Sequence, residues 1–208
     1  MKKTIWQPVL LGIAFGLLAG VSITVGLSFV ISNSLTTGVI GFHIVLFLLS
    51  ASFGGPLAGF ITPAISVIFM ALFGAPEYKE ILSMPNIFWT NMIVPGMVMA
   101  LASFGYRLVF ERIKMPVRLL PWAGIVIVSY VIQSPIMLSI QYCLSSTDFA
   151  TLPSAILSNY QTYISQAIFD IFITSLIFIA LPARYRRPLW YEKPQTAATP
   201  IETTAYAP

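Results

Sequence analysis

The chain has 208 residues, of which 57% are hydrophobic and only 9% charged, and its mean hydropathy is +0.86. A soluble domain carries about 25% charged residues, so this composition leaves too little polar surface for a soluble fold or a soluble catalytic domain. The net charge of +4 and pI of about 9.3 would suit a nucleic-acid partner, but the placement of the charges along the chain excludes one.

Lys2 and Lys3 stand ahead of an apolar run, in the manner of a signal peptide. The run from Pro8 to Ile31 exceeds an h-region of about 7–15 residues and lacks an A-x-A cleavage site, so it is predicted to be a first membrane span. From Gln7 to Gly74 the only ionisable side chain is His43, and a bilayer core asks for spans of about 20 apolar residues. The predicted spans are Pro8–Ile31, Thr36–Ser52, Pro56–Gly74, Ile87–Phe110, Leu119–Cys143 and Asn159–Leu181. As one helix, the 39 residues of Thr36–Gly74 would reach roughly 58 Å, about twice the bilayer core. Two short helices joined at Gly54-Gly55-Pro56 fit better, because glycine permits a tight reversal and proline suits a first helical turn.

Charge supports that division. With six spans and the N-terminus inside, the cytoplasmic side holds Lys2, Lys3, Arg107, Arg112, Lys114, Arg118, Arg184, Arg186, Arg187 and Lys193, and the outside holds only Lys79. A single crossing by Thr36–Gly74 would split the cations three to eight, against the positive-inside rule. The basic balance therefore sets orientation, with contact to anionic lipid as its secondary use. The expected fold is an all-α integral membrane protein: a six-transmembrane-helix bundle over residues 1–187, both termini cytoplasmic, with a disordered tail over 188–208. Its expected place is the cell membrane, as a multi-pass protein.

No catalytic motif interrupts the spans. H-E-x-x-H, the P-loop, G-x-S-x-G and paired-cysteine metal spacings are all missing, so the chain is read as a non-enzyme with no cofactor and no metal. Cys143, the one cysteine, reads as a small apolar helix residue. What stands out is polar groups in hydrocarbon, where they are expensive and tend to be functional. Residues three and four apart share a helix face, which aligns Tyr163, Gln166, Asp170 and Thr174 on the last span and Tyr130, Gln133, Met137 and Gln141 on the fifth. Asp170 and Gln133 lie roughly 15 Å from the outer ends of their helices, His43 and Gln166 roughly 10 Å. Asn91 and Trp89 sit near the outer end of the fourth span.

These seven residues, Asp170, Gln166, Gln133, Tyr163, Asn91, His43 and Trp89, are the candidate substrate-binding set. Asp170 leads it: a buried carboxylate must be paired, protonated or wet, and the spans hold no Lys or Arg to pair it. Glutamines and asparagines also serve as interhelical glue, and tryptophan as an interfacial anchor. On the first span Gly12, Gly16 and Gly20 repeat every four residues, a face that lets another helix approach closely, either a partner's or one of the bundle's own.

Six spans, both ends inside, two short central helices and no energy domain together resemble the S component of energy-coupling factor vitamin transporters, over about residues 5–185. The resemblance implies capture of a vitamin or other micronutrient from the outside. It implies a T-type transmembrane subunit and two cytoplasmic ATPases as partners. In that family a small-residue face on the first helix, typically A-x-x-x-A, docks to the T subunit, and Gly12, Gly16 and Gly20 are its nearest equivalent here. The segment Leu48–Gly59, LLSASFGGPLAG, is also similar to the membrane input module of Lyt-type sensor histidine kinases. Such a module precedes cytoplasmic signalling domains, whereas about 25 residues follow the last span here. A sensor or signalling input is therefore the alternative function, and rod-shape membrane subunits are a more distant likeness.

Overall fold

The computed structural model describes residues 5–32, 37–145 and 148–182. In chain order these form α1 (Trp6–Thr24), an antiparallel pair β1 (Ser28–Ser32) and β2 (Thr37–Gly41), and α2 (Phe42–Phe73). A short α3 (Pro76–Leu82) follows, then α4 (Pro85–Arg112), α5 (Leu119–Ser145), a 3-10 turn at Phe149–Thr151 and α6 (Leu152–Ala180). Apart from α3, every one of these helices is long and apolar enough to cross a membrane, and the chain is built as a multi-pass membrane protein. The predicted tail and the cations Lys2, Lys3, Arg184, Arg186, Arg187 and Lys193 lie outside the described residues.

The solvent for this fold is lipid, as α6 makes plain. Ile164, Ile168 and Phe172 are 60%, 64% and 60% exposed, whereas Gln166, Asp170 and Thr174 are 4%, 0% and 0% exposed. Large apolar groups outside and polar groups inside is the reverse of a water-soluble helix. It is the arrangement a bilayer favours, because polar side chains find partners only within the bundle.

α2 is one helical segment by its hydrogen bonds but two limbs in space. Gly55 has φ 79° and ψ −166°, a region open essentially to glycine alone, and Pro56 begins the next turn without needing an N–H partner. The chain reverses there. Ser50 and Thr62, twelve residues apart, join hydroxyls at 2.6 Å, although a straight helix would hold them roughly 18 Å apart. The Thr62 hydroxyl also reaches the carbonyls of Ala58 (2.7 Å) and Gly12 (3.2 Å). One threonine thus ties both limbs of α2 to α1.

The glycines of α1 are spent on this same contact. A Cβ on Gly12 would meet Ile61 at 3.0 Å, on Gly16 would meet Ile65 at 2.6 Å, and on Gly20 would meet Phe69 at 2.7 Å. Ile61, Ile65 and Phe69 sit in the groove the glycines leave, with α1 and the second limb of α2 (residues 56–73) running parallel. Of the two uses the sequence left open for this face, the structure shows packing within the bundle. Gly12, Gly16 and Gly20 are all buried against α2, because close van der Waals packing is what drives helix association in lipid.

Two further departures concern the region between α1 and α2. Leu27–Ile31 and Thr36–Gly41 were predicted as helix ends. Instead α1 stops at Thr24, Gly26 takes φ 71°, and β1 pairs with β2 from Ser28↔Gly41 to Ser32↔Thr37. Half of the strand residues are β-branched (Val30, Ile31, Thr37, Val39 and Ile40), and a largely apolar window does not by itself separate strand from helix. At the opposite end of the bundle, Arg118 closes the α4–α5 connection. Its guanidinium donates to Ile113 O at 2.6 and 2.8 Å and to Phe110 O at 3.1 Å, capping carbonyls at the end of α4.

Candidate functional site

The bundle carries an aromatic plug at one end and a cavity with polar walls at the other. Near the Arg118 end, Tyr106, Trp122 and Phe178 interlock. Tyr106 stacks on Phe178 at 5.2 Å, and Trp122 meets both edge-on at 5.4 and 5.3 Å. Phe53, just before the α2 reversal, adds a fourth ring against Phe178 at 5.8 Å. The Trp122 indole N–H donates to Thr174 Oγ1 at 2.9 Å, so even the polar atom of this plug is satisfied.

Above the plug, on the side of the β1–β2 pair and α3, lies a cavity of about 380 Å³. It falls within the roughly 300–1,000 Å³ of small-molecule sites. Every long helix contributes to it. α1 gives Ile23; the two limbs of α2 give His43, Ile44 and Phe47, then Ser66, Val67 and Met70; α4 gives Asn91 and Pro95. α5 adds Tyr130, Gln133 and Met137, and α6 adds Thr162, Tyr163 and Gln166, with Leu82 of α3 at the margin.

Five of the seven predicted site residues therefore meet at one cavity: His43, Asn91, Gln133, Tyr163 and Gln166. Trp89 does not. It is 54% exposed, packs edge-on to Phe88 at 5.4 Å, and points away from the bundle, as an interfacial tryptophan does. Asp170 does not line the cavity either. It is fully buried one layer behind the wall, where it accepts a short hydrogen bond from the Tyr130 hydroxyl and one from Gln166 Nε2 at 2.7 Å. A phenol and an amide supply what the missing Lys or Arg would have supplied.

That carboxylate organises the wall in front of it. The Gln166 amide spends its remaining hydrogen-bonding capacity on the backbone of Gly41. Gly41 N–H donates to Oε1 at 2.7 Å, and Nε2 donates to Gly41 O at 3.0 Å. A side-chain amide thus pairs with the last residue of β2 as a neighbouring strand would. The run Gly41–Gln166–Asp170–Tyr130 joins the root of the strand pair to the floor of the cavity. Thr174 completes it by donating to the Asp170 carbonyl at 2.6 Å.

Other polar groups at the cavity are left with capacity to spare. Gln133 is buried, and its amide has no hydrogen-bond partner among the described residues. Ser66 is 1% exposed, and its Oγ has no partner. The Asn91 Nδ2 donates to Ile87 O at 2.8 Å, and its Oδ1 has no partner among the described residues. The aromatic side is formed by Tyr130 and Tyr163, 5.2 Å apart and tilted by 47°, and by His43 standing edge-on to Phe47 at 5.6 Å. Among the described residues no Asp, Glu, Lys or Arg lines the cavity, and none form a cluster of His, Cys, Asp or Glu suited to a metal.

Sequence reasoning had placed Tyr130 and Met137 on the polar stripe of α5 without counting them in the site. It missed Ser66, Phe47 and Met70 altogether. Ser66 carried a signal, a lone hydroxyl four residues beyond Thr62 on the same helix face; Phe47 and Met70 look like any core residue. Comparison of the chain with protein-family models, with curated proteins and with solved structures finds no match in any of the three.

Proposed function

We propose that this chain is the substrate-binding membrane subunit of an importer of the energy-coupling factor type. It would capture a small micronutrient from the outer side and rely on a T-type transmembrane subunit and two cytoplasmic ATPases for energy. In this reading the two limbs of α2 count as separate crossings, giving six, with both termini in the cytoplasm of a cell-membrane protein. The described cations support that orientation, since Arg107, Arg112, Lys114 and Arg118 gather at the Arg118 end and, among the described residues, only Lys79 stands at the cavity end.

The observation that carries the proposal is the asymmetry of the bundle. A cavity with unspent hydrogen-bonding groups occupies the end assigned to the outside, and an aromatic plug closes the end assigned to the cytoplasm. A one-sided cavity suits binding and hand-over better than conduction, and release on the far side then requires a large rearrangement driven by partners. Docking to a T subunit, if it uses α1, falls to the exposed face bearing Leu10, Leu17, Leu18 and Val21, not to the glycines.

The test is affinity purification of the tagged chain from its native membranes in mild detergent. Two ATPase subunits and one further membrane protein are the expected companions. Recovery of a histidine kinase or a nucleotide cyclase instead would overturn the importer reading in favour of the sensor. Cysteine labelling in intact cells should find position 79 accessible and position 112 protected, and the opposite pattern would reverse the orientation.

A further inference from the structure

We infer that the cavity takes an uncharged, flat ring compound with a lactam or carboxamide edge, read by the side-chain amide of Gln133. The inference rests on the cavity being the binding site of the proposed subunit and adds the chemistry of its occupant.

Charge is the first constraint. Among the described residues no Lys or Arg lines the cavity, and Asp170 lies behind its wall. An anion would enter desolvated, without a counter-ion among the described lining residues and with a carboxyl group behind the wall. A cation would make no direct ion pair, because Asp170 does not line the cavity and its two oxygens face Tyr130 and Gln166.

Unmet hydrogen bonding is the second constraint. Buried polar groups are paired in the great majority of cases, and an unpaired one calls for an explanation. Of the groups lining the cavity, Ser66 Oγ is buried without a partner, and the Gln133 amide and Asn91 Oδ1 make no hydrogen bond among the described residues. The Gln166 amide is not among them, since both its N–H groups and its Oε1 already bond to Gly41 and Asp170. A primary amide presents one donor and one acceptor side by side, and the complementary shape is another amide edge. The second hollow in the bundle, between α4 and α5, makes the contrast. Its walls are Val98, Leu101, Ile125, Val128 and similar residues, and its only hydroxyl, Ser129, already donates to Ile125 O at 2.8 Å.

Shape is the third. The walls beside Gln133 are the rings of Tyr130, Tyr163, Phe47 and His43 with the thioethers of Met70 and Met137, surfaces that favour flat π systems by stacking and by sulfur–aromatic contact. The cavity of about 380 Å³ equals about a dozen water volumes, which suits one or two fused rings.

Three probes of one skeleton separate these constraints: isoquinolin-1(2H)-one, a neutral lactam; isoquinoline-1-carboxylate, an anion; and N-methylisoquinolinium, a cation. Each is titrated into the purified wild-type protein, with quenching of intrinsic fluorescence as the readout. The lactam should saturate in the millimolar range and bind at least about tenfold more tightly than either ion. In Gln133→Leu, checked by thermal melting, the lactam should lose about tenfold in affinity. An ion binding as well as the lactam, no saturable binding by any probe, or an unchanged affinity in a folded Gln133→Leu protein would each overturn the inference. Because the wild-type comparison needs no variant, a failure of Gln133→Leu to fold leaves the charge ranking to decide. Co-purification with ATPases is a separate observable, so the wrong occupant and the wrong function give different results.

Discussion

The hydroxyl of Tyr130 and the carboxylate of Asp170, forty residues apart on α5 and α6, share a short hydrogen bond in the dry interior just behind the cavity wall. The pair explains how an acidic residue is accommodated among spans that supply it no cation. Its partners are hydroxyl and amide protons, and its role is to hold Tyr130 and Gln166 in place.

This role predicts an asymmetry between two substitutions. In Asp170→Asn the carbonyl oxygen can still accept from Gln166 Nε2, and the new amide can donate to the Tyr130 oxygen, because a phenol both donates and accepts. The fold should survive with a small loss of thermal stability. Asp170→Leu leaves the Tyr130 hydroxyl and one Gln166 proton unpaired in the interior, at a cost of about 1–3 kcal/mol. Thermal melts of the three proteins in one detergent should rank wild type and Asn together, with Leu well below.

Gln166 makes three hydrogen bonds, two of them to the backbone of Gly41. Gln166→Leu keeps the approximate volume and removes all three. The Gly41 amide should then exchange its hydrogen faster, while amides in the Tyr106–Trp122–Phe178 plug keep their protection. Hydrogen exchange with mass-spectrometric readout resolves the two regions. Equal protection at Gly41 in both proteins would mean the strand pair is anchored elsewhere.

Gly16 lies 2.6 Å, measured from an added Cβ, from Ile65 and 2.9 Å from the Thr62 carbonyl. Gly16→Leu should therefore separate α1 from α2 and lower stability by about 1–3 kcal/mol, the range of overpacking a filled interior. Substitution of Leu17, on the exposed face of α1, should leave stability unchanged. A Gly16→Leu protein that melts like wild type would return this face to the role of an external docking surface.

The reversal of α2 depends on Gly55. Its φ of 79° with ψ of −166° is closed to residues with a Cβ at a cost of about 1–3 kcal/mol. Gly55→Ala should lower the melting temperature, whereas Ala51→Gly, in the adjoining regular turn, should cost about 1 kcal/mol or less. A melt of Gly55→Ala indistinguishable from wild type would contradict the reversal.

The long helices were legible in the sequence because lipid imposes length and apolarity on every span. The break at Gly54-Gly55-Pro56 was legible because an unbroken helix there would be about twice too long. The strand pair was not: in an apolar window Val30, Ile31, Val39 and Ile40 read equally well as helix. Within the site, three- and four-residue spacing found the inward faces of α5 and α6, since polar residues in lipid have one direction to face. Periodicity carries no information on depth behind a wall, so Asp170 and Gln133 looked equivalent although one faces the cavity and the other supports it. Nor does it say what fills a glycine groove. Gly12, Gly16 and Gly20 fit a partner's helix and the second limb of α2 equally well until Ile61, Ile65 and Phe69 are seen in place.

The central claim is that the cavity holds a captured small molecule, and its most direct test uses no chosen probe. Wild-type protein and Gln133→Leu are purified in parallel from the native membrane without prolonged washing, denatured, and their released small molecules compared by mass spectrometry. The account predicts one compound enriched with the wild type and depleted with the variant, at equal amounts of folded protein. Identical extracts from the two proteins, with no compound retained by the wild type, would contradict it.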